Sequence, residues 1–287
     1  MNADIEEQIG LQRRRSRYGV LDMIEMNLWE PHQIEQDQCL EAQVGPLQLW
    51  LRRSGDEIRI ATKHRRYPES LVKAVPLHPA AERKPAGLDW SRWVCGSCDQ
   101  VLLTPVTPDR PVVVRPEVPL KIPPGREALF FVGVPLWVRI TAGDAKKVQL
   151  CEEPSVTVSN IWFGDPMSGD LCYSLRTRAR RRISDSQIEP HRAVCPVTIH
   201  NAAPMQVDIE RFCVHVAHLS IYPGTSRLWT GGVQITFKGE DETSQVEYPE
   251  KPPTYEAVDE VLSKPRLPVK KSIFKRSIGS FGLFSDV

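Results

Sequence analysis

Two cysteines three positions apart form the sharpest chemical motif of this chain. Cys95 and Cys98 stand in the sequence Cys-Gly-Ser-Cys, where a tight turn can bring two thiolates onto one metal ion or into a redox pair. A structural zinc ion needs four ligands, and the sequence has no second pair of this kind. Cys195 with His191 or His200 completes the set only if the fold brings them together. The alternative is two reduced thiols in a turn, and we expect no bound cofactor.

A run of arginines is the second candidate site. Arg176, Arg178 and Arg180 alternate with other residues, and Arg181 and Arg182 follow directly. Alternate side chains of a β-strand leave from one face, so these guanidinium groups can bind phosphates or another anion. The run has no interleaved aromatic residues on which bases would stack, and we therefore expect nucleic acid not to be the partner. The alternative interpretation is a solvated basic loop.

The C-terminal segment, residues 269–287, combines four basic residues with large apolar ones. Its apolar members are Ile273, Phe274, Ile278, Phe281 and Phe284. As a helix, this segment would be basic on one side and apolar on the other, which suits a membrane surface or a protein partner. The preceding residues, 241–268, are charged and rich in proline, so we expect a disordered tether. A frayed tail without a partner is the alternative.

A short motif lies inside that tether. Pro252-Pro253-Thr254-Tyr255 has the proline-proline-x-tyrosine form that WW-type grooves recognise as a polyproline helix. Such a four-residue match arises readily in a proline-rich stretch, so a plain flexible linker is the alternative.

Composition limits the classes of function. The 287 residues carry 37 Lys+Arg against 36 Asp+Glu, a net charge of +1, so any attraction to a polyanion must come from local patches. No apolar run reaches the roughly 18 residues of a membrane helix, and the N-terminus lacks the pattern of a secretory signal. The seven cysteines are odd in number and predict reduced thiols, hence a cytoplasmic protein. Phosphate-loop, nucleotide-fold, serine-hydrolase and zinc-protease motifs are absent from the sequence, which disfavours an enzyme.

Turn residues and alternation predict an all-β fold. Residues 38–62 alternate apolar and polar residues between turns at Gly45-Pro46 and Ser54-Gly55-Asp56, the pattern of a three-stranded meander. From Gln100 onward, short β-branched or aromatic runs are bounded by proline or glycine at intervals of roughly ten residues, which is typical of a β-sandwich. Residues 208–220 fit a strand or a helix.

These patterns predict four parts of the chain. They are a polar arm (1–25), a small β-rich domain containing the meander (26–98), a larger β-sandwich-like domain (99–240) and a flexible proline-rich tail (241–287).

The second half of the chain resembles a prokaryotic family of uncharacterised proteins, the domain of unknown function 432 family. The motifs that carry the resemblance are Leu103-Thr104-Pro105-Val106-Thr107-Pro108, Val118-Pro119-Leu120 before Ile122-Pro123-Pro124-Gly125, the hairpin from Gly164 to Tyr173, and Val197-Thr198-Ile199-His200-Asn201. The resemblance covers residues 100 to about 237, with the meander as a shorter first part. It implies a β-rich fold, no known cofactor or active residue, and an association with genes for small-conductance mechanosensitive channels. The tail and the Cys95–Cys98 pair lie outside it.

Three hypotheses about function follow. The first is a non-catalytic interaction or accessory module whose tail docks on a protein partner or a membrane surface. The second is a metal- or thiol-dependent β-sandwich protein that uses Cys95 and Cys98. The third is a phosphate or nucleic-acid binder that acts through residues 176–182. The sequence does not specify the oligomeric state.

Overall fold

A computed structural model describes residues 28–65, 72–77, 87–96, 98–143, 147–185, 189–239, 242–249, 251–258, 260–268, 272–275 and 278–279. The expected polar arm, residues 1–25, lies outside this part of the chain. The chain divides into two compact units. One contains the described residues up to Thr104 together with Arg139–Cys151, and the other contains Pro105–Val138 and the described residues from Glu152 onward. The first unit is therefore completed by a segment from the middle of the sequence.

Strands dominate the described residues, which confirms the all-β prediction. They are β1 (Pro31–Gln33), β2 (Cys39–Val44), β3 (Leu47–Ser54), β4 (Glu57–His64), β5 (Val72–Leu77), β6 (Ser91–Val94), β7 (Gln100–Val106), β8 (Val112–Pro116), β9 (Leu120–Ile122), β10 (Glu127–Pro135), β11 (Trp137–Ala142), β12 (Val148–Pro154), β13 (Asn160–Phe163), β14 (Asp170–Arg180), β15 (Arg192–Asn201), β16 (Val207–Ile209), β17 (Arg211–Val214), β18 (Ile221–Pro223), β19 (Leu228–Thr230), β20 (Val233–Phe237), β21 (Ser244–Glu247), β22 (Ser272–Lys275) and β23 (Ile278–Gly279). Two 3-10 helices, η1 (Ile183–Asp185) and η2 (Val216–His218), interrupt them. Within these described residues no helix is long and apolar enough to cross a bilayer.

The predicted meander is the centre of the five-stranded sheet, whose order is β5-β2-β3-β4-β6. Val44 pairs with Leu47, and Ser54 pairs with Glu57, so each hairpin has a two-residue loop. The first loop residue is Gly45 between β2 and β3, with a φ of 55°, and Gly55 between β3 and β4, with a φ of 67°. A glycine with positive φ at this position is what a type II′ hairpin turn requires. A separate four-stranded sheet has the order β1-β7-β11-β12.

The second unit is built on one large mixed sheet with the strand path β22-β21-β20-β15-β10-β14-β8-β17-β23. The two ends of this path are formed by β22 and β23. Lys275 of β22 and Ile278 of β23 are three residues apart, so their Cα atoms are separated by at most about 11 Å. The sheet must therefore curve until its two ends meet. The core enclosed by this curved sheet also contains residues of a separate two-stranded sheet, β9 paired with β16: Ile122, Val207 and Ile209.

The inner face of the curved sheet forms the largest apolar cluster. Phe130 of β10 and Phe212 of β17 are fully buried there, with ring centroids 5.5 Å apart. Tyr248, just after β21, contacts the ring of His218 in η2 at 5.0 Å. Tyr248 follows β21 and His218 comes after β17, and these two strands lie next to the opposite ends of the sheet path. Their contact agrees with a sheet whose two ends lie close together. Residues 208–220, ambiguous in the sequence, form β16, β17 and η2, and no α-helix.

The prediction of a disordered tail is wrong for the described residues beyond 240. β21 pairs with β20, and β22 pairs with β21. Tyr255 stacks on Trp229 with ring centroids 5.8 Å apart and meets Phe131 edge-on at 5.0 Å. Arg266 forms an ion pair with Glu152. The prolines and charges of this segment favour disorder, but non-local aromatic and ionic contacts hold its described residues in place.

Candidate functional site

The arginine run lies largely on β14. The burial of this strand alternates, with Leu175, Thr177 and Ala179 buried and Arg176 and Arg178 exposed between them. Leu175 and Ala179 belong to the inner core, so the two arginines leave from the outer face of the curved sheet. The sequence pattern therefore has the one-sided geometry that it predicted.

The backbone at Arg176 is strained. Its φ is 52°, a left-handed conformation that costs a residue with a Cβ about 1–2 kcal/mol. The register of β14 with β8 shifts between Tyr173 and Thr177, which marks a β-bulge at this point. Bulges redirect side chains and occur often beside functional sites.

A third arginine joins these two from a neighbouring strand. Arg178 of β14 is the register partner of Arg115 in β8, and the two strands are parallel. Both residues are exposed, and register partners point to the same face of a sheet. In the part of the chain that the structure describes, no ion pair involves Arg115, Arg176 or Arg178. We call these three residues the arginine face. Like charges placed opposite each other repel, so an anion bound here would relieve that repulsion.

The remaining arginines of the run have other roles. Arg180 forms an ion pair with Glu117 at 3.3 Å, between its Nε and the carboxylate Oε2. Arg181 donates from Nη1 to the carbonyl oxygen of Leu129, and its guanidinium lies 5.3 Å from the centroid of the Phe130 ring. Arg182 follows the strand and is exposed.

Asn201, at the end of β15, fixes the loop that follows β9. Its fully buried amide nitrogen donates to the carbonyl oxygens of Ile122 and Met205, both at 2.8 Å. Its side-chain oxygen accepts from the backbone N–H of Ala203 at 3.0 Å. The backbone N–H of Gly125 donates to the carbonyl oxygen of Asn201 at 2.8 Å. Two motifs on which the sequence resemblance rested, the 118–125 segment and the 197–201 segment, thus meet in the fold.

The two cysteines of the Cys-Gly-Ser-Cys motif follow β6. The Cys98 thiol donates to the carbonyl oxygen of Cys95 at 2.8 Å. Burial, together with the neighbouring Cys98 thiol, raises the pKa of Cys95 to about 12. The protonated thiol at neutral pH is a poor nucleophile and a poor metal ligand. Among the described residues no group of three or more His, Cys, Asp or Glu side chains could hold a metal ion.

The other cysteines and histidines are dispersed. All seven cysteines lie within the described residues, and none forms a disulfide. Cys195 is fully buried in the core of the second unit, and burial raises the pKa of its thiol to about 12. His191 is buried as well, and burial lowers its pKa to about 4. Within the described part of the fold, Cys95, Cys98, Cys195 and His191 therefore do not form a metal site.

The predicted docking residues of the tail are partly strands of the sheet. Ile273 and Phe274 belong to β22, and Ile278 of β23 packs against the inner core. Phe281 and Phe284 lie outside the described residues. Tyr255 of the proline-proline-x-tyrosine motif packs on Trp229, which makes the motif part of the fold.

A family model described as Protein of unknown function (DUF432) matches residues 28–283. The chain belongs to this family. The match includes β1 to β23, so the C-terminal strands and the Cys95–Cys98 pair, which the sequence resemblance left out, lie within the DUF432 region. The curated proteins and the solved structures yielded no match.

Sequence reasoning missed Arg115 and Asn201. Arg115 stands in Val-Val-Val-Arg-Pro, where an arginine after three β-branched residues was a usable signal of an exposed strand position. Its pairing with Arg178 spans 63 residues and had no local signal. Asn201 was named only as the end of a motif, and its buried hydrogen bonds depend on loops distant in sequence.

Proposed function

We propose that this DUF432 protein is a non-catalytic interaction module that binds an acidic protein segment through the arginine face. The observation that carries the proposal is the pairing of Arg178 with Arg115 on the exposed side of two parallel strands. Arg176 adds a third guanidinium on the same side. Three arginines without ion pairs in the described residues form a local positive patch on a chain whose net charge is only +1.

Spacing favours an extended acidic segment. Arg176 and Arg178 are two residues apart on a strand, which separates their side chains by about 7 Å. An extended peptide repeats its side chains on one face at the same interval, so alternate carboxylates of such a peptide match alternate arginines. Carboxylate groups accept two parallel hydrogen bonds from one guanidinium, which adds geometric specificity.

The alternative partner is nucleic acid. It receives less support because the arginine run has no interleaved aromatic residue and the sequence pI of about 7.6 is far from that of a basic nucleic-acid-binding domain. A cytoplasmic location is part of the proposal, since seven cysteines without a disulfide suit a reducing compartment. The raised pKa of Cys95 supports a non-catalytic role over a thiol-dependent one.

The test measures binding of a fluorescein-labelled oligoglutamate peptide by anisotropy, using the full chain. We expect Arg178→Glu to weaken binding at least tenfold. The substitution deletes the charge of Arg178, and the new carboxylate pairs with Arg115 and neutralises a second positive charge. Arg182→Glu is the matched control: it reverses an exposed arginine of the same run that lies beyond β14, and it should change binding less than twofold. Binding should weaken as salt concentration rises.

Two results contradict the proposal. Equal loss of binding in Arg178→Glu and Arg182→Glu would mean that net charge alone matters. Tighter binding of a single-stranded oligonucleotide than of the acidic peptide, lost in Arg178→Glu, would support the nucleic-acid alternative. Thermal unfolding distinguishes either result from misfolding, because relief of the Arg178–Arg115 repulsion should leave stability unchanged or raise it.

A further inference from the structure

A pocket of ≈ 380 Å³ opens beside β9 in the second unit. Its walls come from β9 and the residues before and after it, the start of β10 and Arg181. This volume falls within the range of roughly 300 to 1,000 Å³ that small-molecule sites occupy. The pocket is distinct from the arginine face, which consists of Arg115, Arg176 and Arg178.

Part of the pocket lining is aliphatic. Val118 is 73% exposed. Leu120 lines the same pocket and packs against the inner core from its other side. The described lining contains no aromatic ring, so a nucleobase would find no stacking partner here. These side chains suit an aliphatic group.

The charged residues of the lining are mostly cationic. Lys121, Arg126 and Arg181 line it, against a single acidic side chain, Glu127. Lys121 is partly neutralised by Asp208, with its Nζ 3.2 Å from the carboxylate Oδ2. Arg126 is exposed and takes part in no ion pair of the described residues. The local charge therefore favours an anionic head group.

The pocket is formed before any ligand arrives. Arg181 is held by its hydrogen bond to Leu129 and by the Phe130 ring beneath its guanidinium. The Asn201 amide fixes the carbonyl group of Ile122, which lies in the pocket wall. Residues held by such contacts lose little conformational entropy on binding, which raises affinity.

We infer that this pocket binds an amphipathic anion, an aliphatic chain that carries a carboxylate or phosphate head. The head pairs with Arg126 and Arg181, and the chain lies on Val118 and Leu120. Free aliphatic acids and anionic lipid heads share this chemistry.

The experiment uses decanoate as the probe and isothermal titration of the full chain as the measurement. We expect one decanoate per chain, with at least tenfold weaker binding of acetate, which lacks the chain, and of decanol, which lacks the charge. Val118→Glu should weaken decanoate binding at least tenfold, because it places a negative charge in the pocket. Val158→Glu is the matched control, since Val158 is another exposed valine, 42% exposed, outside the pocket lining.

Vesicles containing phosphatidylglycerol distinguish the two sources of the ligand. Decanoate binding without vesicle binding points to a free acid, and vesicle binding that Val118→Glu abolishes points to a lipid head; either result supports the inference. Binding of decanol as tight as that of decanoate, or unchanged decanoate binding in Val118→Glu, overturns it. Arg178→Glu should leave decanoate binding intact, so failure of this site and failure of the arginine face are separate results.

Discussion

The indole N–H of Trp229 donates to a carboxylate oxygen of Glu256 at 2.7 Å. Trp229 is fully buried, and the Glu256 side chain is only 12% exposed. The second carboxylate oxygen of Glu256 accepts from the Thr225 hydroxyl and the backbone N–H of Ser226. One side chain of the C-terminal segment therefore accepts from two donors of the loop between β18 and β19 and from one donor of β19 itself, and it anchors that segment to the large sheet.

Replacing Glu256 by Gln should destabilise the protein. The substitution keeps the size of the side chain but removes its charge and turns one acceptor into a donor that faces other donors. Hydrogen bonds to a charged group contribute roughly 1.5–3 kcal/mol, so we expect a loss of about 2 kcal/mol in the free energy of unfolding, measured in urea. Glu260→Gln, at an exposed glutamate nearby in sequence, is the control and should have little effect. Equal stability of the two variants would mean that Glu256 does not anchor the segment.

Tyr255→Ala should also lower stability. The variant loses the stacked contact with Trp229 and the edge contact with Phe131, and we expect a cost of roughly 1–2 kcal/mol because the tyrosine is partly exposed. Thr254→Ala, at the exposed neighbouring position, should be neutral. Thermal unfolding checks both variants. If Tyr255→Ala unfolds at the wild-type temperature, the ring contacts of Tyr255 with Trp229 and Phe131 do not stabilise the fold.

Stability should fall in mild acid because of His191. Burial, and to a lesser extent Arg192, lowers the pKa of His191 from 6.5 to about 4, so this side chain is neutral in the folded protein. Between pH 6.5 and 4 the unfolded chain binds a proton that the folded chain does not, so the free energy of unfolding decreases as pH falls. The difference between the unfolded and folded pKa of His191 corresponds to about 3 kcal/mol of the free energy of unfolding. His191→Gln should reduce the difference between the free energies of unfolding measured in urea at pH 7 and at pH 4.5. A difference as large as that of the wild type would contradict this prediction.

The strained backbone at Arg176 predicts opposite effects on stability and binding. Arg176→Gly relieves the left-handed conformation and should raise the free energy of unfolding by up to about 1 kcal/mol, after the entropic cost of glycine. Arg176→Ala removes the same charge but keeps the strain, so it should bring no such gain. Both variants should weaken binding of the acidic peptide. A glycine variant no more stable than the alanine variant would show that no strain is stored at this position.

Cys95 should react slowly with alkylating reagents. With its pKa raised to about 12, the thiolate fraction at pH 8 is roughly a thousandfold smaller than that of a free cysteine. Cys98→Ser should speed the alkylation of Cys95, because the Cys98 thiol is one cause of the raised pKa. Mass spectrometry after iodoacetamide treatment measures both rates. Rapid labelling of the wild type, or about one zinc ion per chain by elemental analysis, would instead favour the thiol- or metal-dependent alternative.

Local signals in the sequence predicted part of the molecule. Gly45 and Gly55 fix two-residue hairpin loops through their own backbone conformations. The alternation of buried and exposed residues on β14 also depends only on neighbouring residues. Both features can therefore be predicted from the sequence. The contact between Tyr255 and Trp229 joins residues 26 positions apart, and the Arg178–Arg115 pair joins residues 63 positions apart. Neither contact produces a periodic pattern in the sequence, which is why residues 251–268 resembled a linker. For the same reason the predicted anion patch contained Arg176, Arg178, Arg180, Arg181 and Arg182 but not Arg115.

The closure of the large sheet has a consequence for synthesis. Its two terminal strands, β22 and β23, come after β17 and β21 in the chain, so a polypeptide synthesised only as far as β21 lacks both. Until they are made, β21 and β17 are unpaired on their outer sides, and such strand edges readily associate with other chains. A nascent chain, or one terminated before residue 272, should therefore be a target for chaperones and proteases until β22 and β23 are made and paired.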